Sequence, residues 1–443
     1  MNVPTRYHIR GRRAGDIEAS IERGIREGSL AGGTRLPTVR ALASKLGVSA
    51  ATVASAYRDL RQRGLIVAAG RLGTTVAERG PVAPRGRPSF GPDVVDLAGG
   101  NPDSALLPDL EPHLHRIAAG HVLYGAPPND ADLVGIAAEH FSADSVSPHH
   151  LTVVGGALDG CERVLSAHLR PGDRVAIEDP SYAGVTDLVR SLGLVPVPVA
   201  VDDCGAAPGL LASALRSGVA ACVLTPRAQN PYGSLLDPAR AADLRAVLRR
   251  HPDTLVVEDD HASDITDRPL ACVCAGREVT RRWAQVRSVS KSLGPDLRLA
   301  VLAGDATTVG RVEGRRLIGA GWVSHLIQRL VVSLWSDPAT ERLLSSARDT
   351  YTRRRHALLQ ALAAEGIEAH GASGLNVWIP VAHEDATVAA LLERGWGVLA
   401  GERFRIAAPR AIRVTTSTLD PVDARRLAAD LRLALAPAPF RLG

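Results

Sequence analysis

Lysine is nearly absent from this chain: of 52 basic residues only two, Lys45 and Lys291, are lysines. A composition that writes almost every cation as arginine isolates those two positions. Arginine stays protonated and cannot act as a neutral amine, whereas lysine can attack a carbonyl and hold it covalently. Aromatic residues are scarce as well, at 3%, so a core drawn from the 45% of apolar residues must be mostly aliphatic. No run of about 18 or more apolar residues occurs, which argues against a membrane-spanning helix. Residues 1–13 are basic but no apolar stretch follows them, which argues against a signal peptide. The five cysteines are odd in number and scattered. Even Cys272 and Cys274 fit no zinc spacing, so all five read as packing thiols of a cytoplasmic protein that binds no metal. A G-x-G-x-x-G turn between strand and helix is missing, and so is G-x-x-x-x-G-K-[ST]; dinucleotide and P-loop chemistry drop out with them.

What is present divides unevenly. At 443 residues the chain is long enough for two or three domains. Residues 1–78 hold thirteen Lys and Arg against six Asp and Glu, a net of +7, while the whole chain is +5, so residues 79–443 carry −2. A basic head on a near-neutral body suits a polyanionic partner, although a solvated arginine-rich surface would give the same count.

In the head, Ile17, Ile21 and Ile25 recur at helical spacing over 14–28. Pro37 suits the first turn of a second helix over 37–46, which Gly47 closes. Ser49 offers an N-cap to a third helix over 50–63, whose inward face is Val53, Tyr57 and Leu60. Apolar stretches at 65–68 and 74–77 flank Gly70-Arg71-Leu72-Gly73 and read as a hairpin. Two short helices across a glycine turn, followed by a hairpin, make a winged helix-turn-helix. Its third helix would enter the major groove, with Arg71 at the wing tip reaching phosphate or the minor groove. A helical interaction module is the alternative. The run G-T-R-L-P-T-V-R-A-L-A-x-x-L-G-V-S-x-x-T-V-x-x-A-Y-x-x-L resembles the GntR family of bacterial repressors. The resemblance implies that Arg40, Ser49 and Thr52 touch a double-stranded DNA operator. Ala50 and Ala54 stand where some family members place arginines, which leaves base readout either weaker or resting more on Arg40, Arg58 and the wing. Residues 79–95 contain four prolines and three glycines without a period and read as a linker.

From residue 96 on, short aliphatic strands at 151–154, 174–177, 194–199, 220–224, 255–258, 285–289 and 297–303 alternate with helical stretches. That pattern predicts an α/β fold with a largely parallel sheet. Four sites converge on it. R-S-V-S-K-S-L-G-P-D-L-R (287–298) places Lys291 after Ser288 and Ser290 and before Arg298: an amine for an aldehyde, hydroxyls and a cation for a phosphate. V-V-E-D-D-H (256–261) lies at a strand's C-terminal end, where ligand crevices form. Strand alternation sends Asp259 and His261 one way and Asp260 the other. A carboxylate there suits a pyridine nitrogen, with a metal site as the poorer alternative. T-P-R-A-Q-N-P-Y-G (225–233) offers Asn230 to a ring oxygen, though alone it is only a turn signal. V-V-G-G-A-L-D-G (153–160) runs from strand through Gly-Gly into a helix whose first N–H groups can hold phosphate.

In this order, with E-D-P-S-Y (178–182), L-Y-G (123–125) and R-A-I-R-V-T (410–415), residues 96–443 resemble the fold-type I pyridoxal-phosphate aminotransferases, with a smaller C-terminal α/β subdomain. The resemblance implies pyridoxal 5'-phosphate as cofactor, held covalently by Lys291. Ala157 and Leu158 would supply N–H groups to its phosphate, and Ser288, Ser290 and Arg298 would bind that phosphate too. Tyr182 would stack on the ring, Asn230 would bond its oxygen and Asp259 its nitrogen. Arg413 would take a ligand carboxylate, and Tyr124 would reach the phosphate of the other subunit in a homodimer. Most relatives carry tyrosine where this chain has His261. An imidazole can donate the same hydrogen bond, but it titrates near neutral pH. A GntR-type head on such a body resembles the MocR regulators, and the motifs resemble most their PtsJ-type subgroup. That subgroup implies a transcription regulator that senses pyridoxal phosphate, alone or with an amine ligand, and controls vitamin B6 metabolism. The other readings are a working aminotransferase with a DNA-binding appendage, and a regulator that binds a metabolite without covalent attachment.

Overall fold

A computed structural model describes residues 7–27, 29–62, 65–68, 73–77, 88–117, 120–274 and 279–436. In the head, α1 (Ala14–Arg26) buries Ile17 and Ile21 fully. α2 (Val39–Leu46) starts one residue after the Thr38 cap, whose hydroxyl accepts the Ala41 N–H at 3.2 Å. Pro37, expected inside this helix, therefore stands ahead of it, and its carbonyl accepts the Tyr57 hydroxyl at 2.7 Å. Gly47 ends α2 at φ +66, a left-handed turn that glycine adopts without strain. α3 (Ala50–Gln62) follows, with the Ser49 hydroxyl accepting the Thr52 N–H at 3.1 Å. Val53, Tyr57 and Leu60 are buried against Ile17, Ile21 and Leu42. Each such aliphatic burial stabilises by about 1.5–3 kcal/mol, enough to hold a small helical unit. β1 (Ile66–Ala68) and β2 (Thr74–Val76) pair antiparallel with Ile66 opposite Val76. Arg71 and the rest of the wing tip lie outside the described residues, as does linker segment 79–87.

The body opens with β3 (Val95–Asp96), α4 (Glu111–Leu114) and α5 (Ala131–Ala143). It continues through β4 (Leu151–Val154), α6 (Ala157–His168), β5 (Arg174–Asp179), α7 (Ala183–Ser191), β6 (Val195–Asp202), β7 (Gly205–Ala206) and α8 (Pro208–Arg216). Next come β8 (Ala221–Leu224), α9 (Pro238–Leu248), β9 (Leu255–Asp260), β10 (Arg282–Ser288), β11 (Ala300–Gly304), α10 (Ala306–Ile318) and α11 (His325–Trp335). The long helix α12 (Pro338–Ala364) leads to β12 (Asn376–Pro380), α13 (Glu384–Leu392), β13 (Trp396–Gly397), β14 (Leu399–Ala400), β15 (Ala411–Thr415) and α14 (Pro421–Leu435).

The main sheet has the order β4-β11-β10-β9-β8-β5-β6-β7. β5, β8, β9 and β10 run parallel, and β11 is antiparallel to both its neighbours. β11 begins at Ala300 rather than at 297, because Pro295–Leu297 form a 3₁₀ turn and Arg298 is left-handed at φ +44. Leu211, Leu215, Leu244 and Leu248 pack on Cys222 and Val256. Leu133, Phe141 and Leu330 pack on Val153 and Val301. α6 lies against β9 and β10, close enough that a Cβ on Gly160 would stand 2.8 Å from Val286. The smaller sheet β12-β15-β14 is antiparallel, and its core joins Leu358, Leu362, Trp396, Leu427 and Leu431 to Val377, Ile379 and Ile412.

Candidate functional site

The C-terminal ends of β8, β9 and β10 carry the chemistry. Alternation along β9 sends its two last carboxylates to opposite sides, as the residue pattern requires. Asp260 is fully buried between two arginines: Arg227 Nε donates to Oδ1 at 2.7 Å, and Arg227 Nη2 and Arg287 Nε donate to Oδ2 at 2.8 and 3.0 Å. Asp144 closes the group, 2.5 Å from Arg287 and 3.3 Å from Arg227. These guanidinia hold the Asp260 carboxyl below its ordinary range in spite of burial. Asp259 differs. It is 5% exposed, its Oδ1 makes no hydrogen bond, and burial raises its carboxyl, with the charge of Asp260 adding to the effect and His261 and Lys291 opposing it. His261 Nδ1 stands 3.8 Å from that oxygen.

Lys291 follows β10, and its Nζ donates to the Gly100 carbonyl at 2.7 Å. Ser288 and Ser290, two residues apart, bring their hydroxyls to 2.9 Å. Across from them, β4 passes through Gly155-Gly156 into α6. Gly156 sits at φ +104, a conformation strained for any other residue, and a Cβ there would lie 2.6 Å from Arg298 Nη2 and displace that guanidinium. Arg298 donates to the Gly155 carbonyl at 3.1 Å, and the Asp159 carboxylate fixes the turn by accepting the Gly155 N–H at 2.7 Å. The first N–H groups of α6, from Ala157 and Leu158, belong to the turn that has no intrahelical acceptors. Two serines, an arginine and a helix start are donors of the kind that a dianionic oxyanion group needs. The Tyr182 ring and Leu158 both crowd Gly184, where a Cβ would meet them at 2.6 and 3.0 Å.

At the other end, Arg413 on β15 is buried. Its Nη1 donates to Asn230 Oδ1 at 3.1 Å, its Nη2 donates to the Ala98 carbonyl, and its guanidinium lies 4.7 Å from the Phe404 ring centroid. A Cβ on Gly100 would stand 3.3 Å from both terminal nitrogens, so Lys291 and Arg413 meet at one glycine. With its oxygen engaged, Asn230 keeps its amide N–H for another acceptor. Tyr124 is not drawn into this cluster: it is 92% exposed and sets its ring edgewise to Trp322 at 5.5 Å.

Sequence reasoning missed several participants. Gly100 and Ala98 act through backbone carbonyls, and only the G-G-N-P turn signal at 99–102 marks them. Glu178 and Gln229, inside motifs already singled out, are buried and joined at 3.2 Å. Asp179 accepts three backbone N–H groups, from Ile406, Ala407 and Ala408, at 2.7, 2.7 and 2.8 Å, which fastens the segment ahead of β15 to the main sheet. In the head, Arg40, Ser49 and Arg58 are exposed and Thr52 is half-buried.

Residues 13–76 match the bacterial regulatory proteins of the gntR family, and residues 92–431 match aminotransferase class I and II. The chain is 40% identical over 430 residues to the vitamin B6 salvage pathway transcriptional repressor PtsJ of Salmonella typhimurium, across 96% of this chain and 99% of that one. It is 30% identical over 265 residues to the HTH-type pyridoxine biosynthesis transcriptional regulator PdxR of Corynebacterium glutamicum, across 56% of each. The solved structure of Pyrococcus horikoshii kynurenine aminotransferase is similar at a TM-score of 0.70 and 20% identity, over 77% of this chain and 91% of that one, a likeness of fold alone. The chain therefore belongs to the MocR-type transcription regulators, a gntR-family DNA-binding head joined to an aminotransferase class I and II body.

Proposed function

We propose that this regulator controls vitamin B6 metabolism by sensing pyridoxal 5'-phosphate, alone or with an amine-bearing ligand. Residues 1–78 serve as the DNA-binding head, 79–95 as the linker and 96–443 as the sensing body. The roles of PtsJ in vitamin B6 salvage and of PdxR in pyridoxine biosynthesis support the pathway. One observation carries the cofactor: Asp259 buries a carboxylate oxygen that has no hydrogen-bond partner, in the same cluster as Lys291. Leaving such an oxygen unmatched costs about 1–3 kcal/mol, and a protonated ring nitrogen would satisfy it.

The residues fit the group. Asp259 would hold the ring nitrogen, and Asn230 and His261 the ring oxygen. Tyr182 would cover the ring, while Ser288, Ser290, Arg298 and the N–H groups of Ala157 and Leu158 would hold the phosphate. When bound, pyridoxal phosphate supplies an electrophilic carbonyl and an electron-accepting ring. Lys291 would give up its bond to the Gly100 carbonyl to engage that carbonyl. Arg413, already set by Asn230 and Ala98, would orient a ligand carboxylate, which also favours a residual aminotransferase half-reaction as the second reading.

Exposed Leu123, Tyr124, Leu317 and Ile318 support a homodimer in which Tyr124 reaches the partner's phosphate cradle. The test is a visible spectrum of the purified full-length protein, followed by operator binding with and without pyridoxal phosphate. A lysine-bound cofactor band and a changed DNA affinity are expected. An unchanged affinity on cofactor removal overturns sensing, and rapid turnover of an amino-donor panel favours the enzyme.

A further inference from the structure

The third helix of the head, α3, carries an outward surface poor in long side chains. Residues 50–57 read A-A-T-V-A-S-A-Y and include no charged or amide side chain. Val53, Ala56 and Tyr57 turn into the core. Ala50 and Ala51 are exposed, Ala54 is half-buried one turn on, and the first cation on this line is Arg58, exposed at the third turn. Positions 50, 54 and 58 share one face of the helix. The hydroxyls at the helix start are engaged with each other, Ser49 Oγ to Thr52 Oγ1 at 2.8 Å, and Ser49 Oγ also accepts the Thr52 N–H.

Sequence is read in the major groove by matched groups: a guanidinium or ammonium for guanine, an amide for adenine, an apolar methyl for the C5-methyl of thymine. The first two turns of α3 hold neither of the polar readers. Beside the half-buried hydroxyls of Thr52 and Ser55, the outward positions 50, 51 and 54 hold only alanine methyl groups, with nothing longer to keep the helix backbone away from the base edges. The net +7 of residues 1–78 supplies affinity for phosphate without telling one base from another.

We propose that α3 reads thymine: Ala50, Ala51 and Ala54 contact thymine C5-methyl groups in the operator, while Arg40 and Arg58 anchor the helix to the phosphate backbone. The operator therefore carries thymines, not guanines, at the positions that face the start of α3. This inference rests on the DNA-binding reading of the head and extends it to the chemistry of base recognition.

The test uses the full-length protein to select duplexes from a random-sequence pool. The selected duplex is then resynthesised with deoxyuridine in place of each thymine in turn, and with 7-deazaguanine in place of each guanine in turn. Deoxyuridine lacks only the C5-methyl. At each contacted thymine it should weaken binding about fourfold, the worth of one methyl group leaving a dry contact. Ala50→Gly should then bind thymine and deoxyuridine equally at the position it faces. The substituted duplexes probe the unaltered protein, so the result does not depend on how that variant folds. If no thymine responds to loss of its methyl, or if the larger loss comes from 7-deazaguanine, the thymine reading is overturned while DNA binding stands. A pool from which no duplex is enriched overturns both.

Discussion

Glu178 gives the most quantitative handle on the body. It lies at the end of β5, buried, with Oε1 accepting the Thr225 N–H at 3.2 Å and Oε2 accepting the Gln229 amide at 3.2 Å. Burial pushes its carboxyl from an ordinary 4.5 up to about 7; these hydrogen bonds only partly offset that rise, and the nearby Asp259 charge adds to it. Below about pH 4.5 the folded and unfolded chains both hold the proton. Between about 4.5 and 7 the unfolded chain releases it and the folded chain keeps it, so stability falls as pH rises. Above about 7 both are ionised and the loss persists. At 1.36 kcal/mol per pH unit the loss is about 3 kcal/mol, or roughly 5 °C in Tm for a unit of this size.

Glu178→Gln removes the ionisation and keeps an oxygen for Thr225. Its new NH₂ group meets the Gln229 amide, which lowers stability by an amount that does not depend on pH. The slope is therefore the readout. Thermal unfolding followed by circular dichroism between pH 5 and 8, a window that captures about 2.5 kcal/mol of the loss, should show the wild type losing about 3–4 °C more than the variant. Glu258 and Asp259 also titrate high, but they are present in both proteins and nearly cancel. Parallel profiles would refute the argument.

Lys291→Ala should abolish the visible band of the lysine-bound cofactor, while Ser288, Ser290 and Arg298 still permit weaker binding that dialysis removes. Retention of the band would show that another group holds the aldehyde. Arg40→Ala should weaken operator binding about tenfold in fluorescence anisotropy, and binding of the full chain should fall steeply with salt as counterions are released. Asp260→Asn leaves two buried guanidinia short of a countercharge and should lower stability by about 3–5 kcal/mol in denaturant unfolding. A loss below about 1 kcal/mol would mean that Asp144 alone neutralises both.

The parts of this molecule governed by periodicity were legible in the residues. The apolar spacing of Ile17 and Ile21, and of Val53, Tyr57 and Leu60, placed α1 and α3 to within a residue or two, because burial of one face decides those helices. Period two at the end of β9 was enough to separate Asp259 from Asp260. Where a local cap or a left-handed residue competes with pattern, the pattern loses. Thr38 caps α2 and excludes Pro37 from it, and the left-handed Arg298 delays β11 to Ala300. Contacts between distant segments were invisible. Arg287 meets Asp260 27 positions away and Asp144 143 positions away, and no local spacing encodes either pairing. The carbonyl of Gly100, 191 positions from Lys291, has no side chain to announce it.

Sensing also imposes a reciprocity that can be measured without knowing which way the regulation runs. Pyridoxal phosphate can change DNA affinity only by binding more tightly to one of two states of the chain; equal affinity for both would shift nothing. If the cofactor changes operator affinity by a given factor, the operator must change cofactor affinity by the same factor. A coupling in the usual range of about 1–3 kcal/mol corresponds to roughly 5–150-fold in each direction. The Lys291→Ala protein suits this measurement, because its binding is non-covalent and comes to equilibrium quickly. Its pyridoxal phosphate Kd, read by fluorescence quenching with and without saturating operator, should shift by the factor by which the cofactor shifts its operator Kd. If Lys291 is the group that distinguishes the two states, both factors in this variant fall toward one together. A DNA response that survives at full size while cofactor affinity ignores the operator would break the linkage, and would mean that the cofactor acts through a second site.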